Sequence, residues 1–270
     1  MKVLFLGSGA ADFKPSLYAE LAHQFDKDAR RSSAVLIDGQ LLIDCGIWIL
    51  NELEIAGVDV SGIRQVLVSH SHGDHFRADH LCAIAEKAGH PIDVYANTDI
   101  LYLLKKEGSK LPGYELLVPH ALYALPEPTP VEFDGYRVRP LRSNHQTEFE
   151  GEQTMFFLIE KDGKKLVYGT DGAWMPTASG KYLYGQKIDC YLFDATCGDY
   201  EYEYRIFEHN TLPMIRIMLQ VLRHKEAFAE DAKLVLTHIA PSLHRPHAEL
   251  VEQAAADGLL VAYDGMELEV

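Results

Sequence analysis

The reading turns on "QVLVSHSHGDH", residues 65–75, in which a short β-prone run is followed at once by three histidines and an aspartate. A brief run of branched apolar residues predicts a buried strand. Its C-terminal end then delivers the imidazoles to the place where open α/β sheets put their chemistry. His70 and His72, two residues apart in a turn, can direct two imidazoles at one cation, while Asp74 and His75 point at a neighbouring position. Two adjacent metal positions become plausible. Nitrogen donors with one or two carboxylates suit Zn²⁺, Mn²⁺ or Fe²⁺, so the ligand type limits the metal without naming it. The chain carries 13 histidines, and a chance cluster on a solvated turn is the plain alternative. What decides between them is whether other strands also end in ligand-type residues.

They do. His145 in "LRSNHQ" follows "YRVRPLRS", Asp171 in "LVYGTDGA" follows "KKLVYGT", and His238 in "LVLTHIAP" follows "KLVLT". Each is released at a strand end, where a core histidine would sit inside its strand. Working outward, "KVLFLGSG" predicts a first strand, and "SAVLID" with "LLIDCG" a hairpin closed by Asp38-Gly39. Helical spacing marks residues 47–56, 78–89 and 98–108, with the strand "IDVYAN" between the last two. From residue 115 strands return, with hairpin turns at "FDGY" and "KDGK". There follow "DCYLFDAT", a helix expected from about Thr211 to Phe228, the strand "AKLVLTHI", a helix in "HAELVEQAAA" and a final "LLVAYDGMELEV". Two β-rich halves, each carrying helices, predict an α/β fold of two sheets packed face to face with helices outside.

With 270 residues, 47 % of them hydrophobic, the expectation is one domain over residues 1–270. The Pro-rich "LPEPTP" at 125–130 is too brief for a domain boundary. Lys and Arg number 25 against 40 Asp and Glu, a formal charge of −15 that would repel a polyanion in the absence of a concentrated basic site. No such block appears, so no nucleic-acid partner is expected. The start "MKVLFLGSGA" is shorter than a signal-peptide core and no window approaches the ~20 apolar residues of a membrane span. A soluble, cytoplasmic protein with no membrane partner is expected. Cys45, Cys82, Cys190 and Cys197 form no C-x-x-C pair and are expected to be reduced, mostly buried thiols.

"HSHGDH", "NH", "YGTDG" and "LTHI", in that order, resemble the metallo-β-lactamase superfamily, whose αββα sandwich holds one or two metals at a shared edge of its sheets. More narrowly, "LFLGSGAA", "RRSSAVLID", "LLIDCG", "FDAT", "HNTLP", "LTHIAP" and "VAYDGMELEV" are similar to the PhnP-like branch, named for a phosphoribosyl cyclic phosphate phosphodiesterase of phosphonate breakdown. The resemblance implies His70, His72 and His145 on one metal, Asp74, His75 and His238 on the other, and Asp171 bridging. It implies a hydrolase in which two divalent transition metals, Zn or Mn with Fe as a third candidate, roughly 3.5–4 Å apart, hold a hydroxide as nucleophile. His209 in "EHNT" matches a position where phosphodiesterases of the superfamily carry a histidine near the leaving group, so Asp74, Asp171 and His209 are the candidate catalytic residues. The alternative for His209 is an ordinary helix-entry residue, with Asn210 or Thr211 as the cap.

Asn210, Ser242 and His247 are the candidate substrate contacts, and "SLHRPH" around His244 is read as a solvated turn. Some PhnP-like proteins carry a cysteine cluster after the first glycine-rich turn, which with a later histidine holds a structural zinc. Here "ADFKPSLYAELAHQFDKDA" has no cysteine, so that extra zinc is not expected. The aromatic stretches "WMPTASGKYLY" and "GDYEYEYRIF" are expected at the pocket rim, with Arg31, Arg142 or Arg245 as phosphate readers. The expected substrate is a small phosphodiester, cyclic forms included, and the chain is compatible with a homodimer. The alternatives are a lactone or thioester hydrolase of the same superfamily, and a metal-binding regulatory protein without catalysis.

Overall fold

The computed structural model describes residues 1–12, 23–200 and 203–270. Three of its hairpins are closed by the Asp-Gly pairs visible in the sequence. Asp38-Gly39, Asp134-Gly135 and Asp162-Gly163 all take left-handed backbone, with φ of 52° and 72°, 42° and 81°, and 51° and 74°. Positive φ at both positions matches the twist of the strands such a turn joins; the second and third pairs are whole two-residue loops, and Gln40 extends the first to three. They connect β2 (Ala34–Ile37) to β3 (Leu41–Ile43), β7 (Val131–Phe133) to β8 (Tyr136–Arg142), and β9 (Met155–Lys161) to β10 (Lys164–Gly169).

The first sheet adds β1 (Lys2–Gly7), β4 (Gln65–Leu67), β5 (Ile92–Ala96), β6 (Leu117–Ala121) and the last strand β14 (Glu267–Glu269), in the order β14-β1-β2-β3-β4-β5-β6. The second adds β11 (Ile188–Asp194), β12 (Phe228–Thr237) and β13 (Leu260–Val261), in the order β13-β12-β11-β10-β9-β8-β7. Both sheets are mixed. Antiparallel pairs lead into parallel ones, β3-β4-β5-β6 in the first and β10-β11-β12-β13 in the second.

Alternation along the strands sorts side chains into layers. Val3 and Phe5, Val35 and Ile37, Leu41 and Ile43 face Phe157, Ile159, Leu166 and Leu192 between the sheets. Leu6, Leu36 and Leu42 face α1 (Ile49–Ile55), α2 (Ala78–Ala88) and α3 (Thr98–Gly108), while Phe156, Leu158, Val167 and Leu236 face the helices of the second half. With both faces covered, these strands read as nearly continuous apolar runs. The arrangement is the expected αββα sandwich.

Three local readings change. The helix expected to Phe228 is α5 (Leu212–His224), which ends when Glu226 turns to φ 52° and the Ala227 carbonyl accepts from Ile188 N–H, feeding the chain into β12. The stretch "WMPTASGKYLY" contains a short helix, α4 (Thr177–Tyr182). The closing run divides between the two sheets as β13 and β14, joined through buried Asp264, which accepts from Ser8 N, Ser8 Oγ and Arg31 N. The last helix, α6 (His247–Ala255), starts after Pro246. All four cysteines are buried and free. No helix among the described residues is long and apolar enough to cross a membrane. Residues 13–22 of the cysteine-free stretch and residues 201–202 lie outside the described residues.

Candidate metal centre and active site

Strands of the two sheets release polar residues at their C-terminal ends, and these meet along one edge. Asp44 follows β3, His70 to His75 follow β4, His145 follows β8, Asp171 follows β10, Asp194 ends β11 and His238 follows β12. Asp44, Asp171 and His238 take left-handed backbone, φ 65°, 56° and 53°. Such conformations in non-glycine residues persist where the surroundings over-determine them, and they gather at functional sites. Gly46 lets the Asp74 turn pack closely, since a Cβ there would lie 1.7 Å from the Asp74 carbonyl oxygen.

Three ring nitrogens converge. His72 Nδ1 lies 3.2 Å from His70 Nε2 and 3.0 Å from His145 Nε2. A hydrogen bond behind the His70 ring fixes which of its nitrogens is free. Asp44 can only accept, so Ser69 Oγ donates to Asp44 Oδ2 at 2.9 Å and accepts from His70 Nδ1 at 2.9 Å, leaving His70 Nε2 as a bare lone pair. Burial lowers the His70 pKa well below its ordinary value and takes that of His145 to about 4, so both rings are neutral. Imidazole nitrogens facing one another at this spacing suit tetrahedral coordination, whose donor atoms stand about 3.3 Å apart for bonds of ~2.0–2.1 Å.

The second group gathers Asp74, His75 and His238, with Asp171 between it and the first. His75 Nε2 lies 3.3 Å from Asp74 Oδ2, 2.8 Å from Asp171 Oδ2 and 3.4 Å from His238 Nε2. His238 Nε2 lies 3.1 Å from the same Asp171 oxygen, and the other, Oδ1, is 3.9 Å from His145 Nε2. Again the far nitrogens are engaged. His75 Nδ1 donates to Asp44 Oδ2 at 2.7 Å, and His238 Nδ1 donates at 2.7 Å to Thr196 Oγ1, whose own proton goes to the His238 carbonyl. Such bonds orient a ligating imidazole and raise its basicity. Against the cost of burial, Asp171, Asp74 and Asp44 raise the His75 pKa well above its ordinary value. Three carboxylates around one imidazole are negative charge that a cation would balance. Among the described residues, Asp171 Oδ2, which faces His75 and His238, is buried without a hydrogen bond. The donor set therefore fits two divalent transition metals, with His70, His72 and His145 in one group and Asp74, His75 and His238 in the other.

A cavity of about 590 Å³ opens over this cluster, lined also by Ala10, Asp12, Thr196, Tyr204, Arg205, Phe207, Glu208 and His209. His209 stacks on His238, with ring centres 5.4 Å apart, and its Nδ1 donates to Asp194 Oδ2 at 2.8 Å. Burial works against its charge, yet Asp194 raises its pKa to about 9.

The other expected contacts lie elsewhere. Asn210 is buried and spends its side chain on Gly172 O, Asp194 O and Trp174 N, so it braces the loop after Asp171 without facing the cavity. The helix cap is Thr211, which accepts from Met214 N. Ser242 bonds Asp12 and lines a neighbouring hollow, while His247 Nδ1 packs 2.8 Å from Arg30 Nη2. Neither lines the cavity over the cluster. His244 is half-buried, and its Nε2 bonds the Ala195 carbonyl. Of the aromatic stretches, Tyr204 and Phe207 reach the cavity, whereas Trp174, Met175 and Tyr184 line an apolar groove against α5. Arg31 is buried with Asp264, Arg142 bonds Glu152 O and Arg245 sits by Glu249; the arginine in the cavity is Arg205. Sequence reading missed Arg205 and the supports Asp44, Ser69, Asp194 and Thr196. Asp194 carried the signal of the others, a polar residue ending the apolar strand "CYLFD".

A profile described as "Beta-lactamase superfamily domain" matches residues 40–239. A ribonuclease Z of Pyrococcus abyssi (strain GE5 / Orsay) is 26 % identical over 154 residues, 54 % of this chain and 45 % of that protein, so the match spans less than half of that relative's length. Among solved structures, a diphosphatase of the PhnP family superposes with a TM-score of 0.75 at 22 % identity, over 100 % of this chain and 97 % of that one. The short form of human tRNase Z gives 0.74 at 21 %, over 100 % and 99 %. At these identities the structural likeness is one of fold. Taken with the cluster at the sheet edge and the match over residues 40–239, it makes the chain a member of the metallo-β-lactamase superfamily with the donor set of a metal-dependent hydrolase.

Proposed function

We propose that the protein is a phosphodiesterase acting on a small phosphodiester, with residues 1–270 forming one catalytic domain. The observation that carries this reading is His209: a histidine with its Nδ1 held by buried Asp194 stands in the same cavity as five of the seven metal-type ligands, His72, Asp74, His145, Asp171 and His238. His70, His72 and His145 would hold one divalent ion, Asp74, His75 and His238 the other, with Asp171 shared. Such a pair, when bound, supplies Lewis acidity and activates water at neutral pH.

The chain's own groups do the rest. Asp194 keeps the proton of His209 on Nδ1 in the neutral ring, so Nε2 is the atom that exchanges a proton with substrate. Charged, His209 donates from Nε2 to the departing ester oxygen, a contribution typically worth ~10²–10⁴-fold for a poor leaving group. The cavity volume of about 590 Å³ suits a ligand of sugar-phosphate size. The diphosphatase activity of the PhnP-family structure is a neighbouring possibility for the same donors.

The test is elemental analysis of purified protein incubated with zinc or manganese, followed by a panel of phosphodiester, lactone and thioester substrates. We expect two metal equivalents and turnover confined to the phosphodiesters. Persistently less than one equivalent, or turnover confined to the carbon esters, would overturn the assignment.

A further inference from the structure

The segment "EYRIFEH", residues 203–209, carries exposed aromatic surface that the proposed chemistry does not use. Tyr204–Phe207 form one turn of 3-10 helix. Side chains three residues apart eclipse on such a turn, so Tyr204 and Phe207 share a face. Both are 78 % exposed, and both line the cavity over the metal-type cluster. Arg205 lies between them in sequence and lines the same cavity.

The turn is held at a set distance from the cluster. Glu203 accepts from Arg205 N at 3.2 Å and from Arg205 Nε at 2.9 Å, capping the turn and orienting the guanidinium in one stroke. That leaves both Arg205 Nη groups without a hydrogen bond among the described residues. The Arg205 carbonyl accepts from His209 N at 2.8 Å, and the Phe207 carbonyl from Asn144 Nδ2 at 3.2 Å, next to His145. Whatever the rings and the guanidinium meet is therefore fixed relative to His145 and His209.

A planar cation with free paired N–H groups suits a phosphate oxygen pair, and an exposed ring suits the flat face of an aromatic group. The geometry points to a specificity subsite in which Arg205 reads the phosphate and Phe207, with Tyr204 beside it, stacks a planar base-like ester group of the diester. This rests on the phosphodiester reading and narrows its substrate to a diester bearing one flat aromatic substituent.

The test is calorimetric binding of adenosine 5′-monophosphate and ribose 5-phosphate to metal-loaded protein, a readout separate from turnover. The stacked base should make the nucleotide bind about ten-fold tighter or more, in the range of base–aromatic stacking by truncation. Phe207→Ala should abolish that preference and leave ribose 5-phosphate unchanged, while Phe207→Trp keeps it. Arg205→Gln should weaken both ligands about equally, with Arg205→Lys between. Equal affinities of the wild type for the two ligands, or Phe207→Ala weakening both alike, overturns the subsite. A wild type that prefers the nucleotide yet hydrolyses no phosphodiester would reject the catalytic reading and leave the subsite standing.

Discussion

Asp194 accepts four hydrogen bonds, from His209 Nδ1 and Asp171 N at Oδ2, and from Thr196 N and Asn210 N at Oδ1. A carboxylate so satisfied is a fixed negative charge, and burial, which opposes that charge, is outweighed by His209 in lowering its pKa. It makes His209 a strong candidate for the leaving-group proton, and that role has a kinetic signature. His209→Ala should lower kcat by ~10²-fold or more on a diester with an alkoxide leaving group, and much less on a nitrophenyl ester, whose anion leaves without a proton. Steady-state rates on the matched pair decide it; equal losses would make His209 a substrate-positioning residue. The hydrogen bonds behind the site's histidines could not be read from order in the chain. Asp44 and His75 are bonded across 31 residues, and Thr196 and His238 across 42, contacts that exist only once strand ends are brought together. The donors themselves were legible, because each needs only its own strand to be recognised.

At the scale of elements, the hairpins were legible because Asp-Gly pairs carry their own backbone conformation. The end of α5 was not, because apolar residues return at Ala227 and Phe228 after the polar run 223–226, and only pairing with Ile188 of β11 makes Phe228 the start of a strand. A cost hidden in α1 escapes periodicity as well. Glu52 is fully buried on the helix face toward β1, and its Oε1 has no hydrogen bond among the described residues. Burial and nearby Asp264 push its pKa well above the ordinary carboxylate value, with Arg31 offsetting only part. A carboxyl with a raised folded pKa contributes its stability below its unfolded pKa and loses it as pH rises through the folded value, at about 1.4 kcal/mol per pKa unit. Glu52→Gln has no such loss. Its melting temperature relative to wild type should therefore climb between pH 5 and pH 8, by roughly 2–4 °C for each kcal/mol in a protein of this size. A difference that stays flat across that range would show that Glu52 is charged and compensated in the folded protein.

At the scale of the molecule, each sheet passes from antiparallel to parallel pairing, and the parallel ends of both halves meet at one edge. Two β-rich halves with helices outside could be read from the chain; the meeting of their edges follows from the sandwich. What substrate the edge admits is a question of charge as well as shape, and the likeness to ribonuclease Z brings RNA into it. Binding RNA requires several phosphates to be neutralised at once, with an affinity that falls steeply as salt rises. The chain has a formal charge of −15, and the cavity sets Arg205 among Asp12, Asp74, Asp171 and Glu208. On the proposed function, one guanidinium among four carboxylates would serve one phosphate, with the charge of bound metals completing the balance. We therefore expect metal-loaded protein to turn over a small cyclic or nucleotide diester while precursor tRNA is left uncut at low and moderate salt alike. Efficient tRNA cleavage that weakens with added salt, without turnover of the small diesters, would mean that a basic surface forms elsewhere on the molecule and that the cavity is only the end of a longer RNA path.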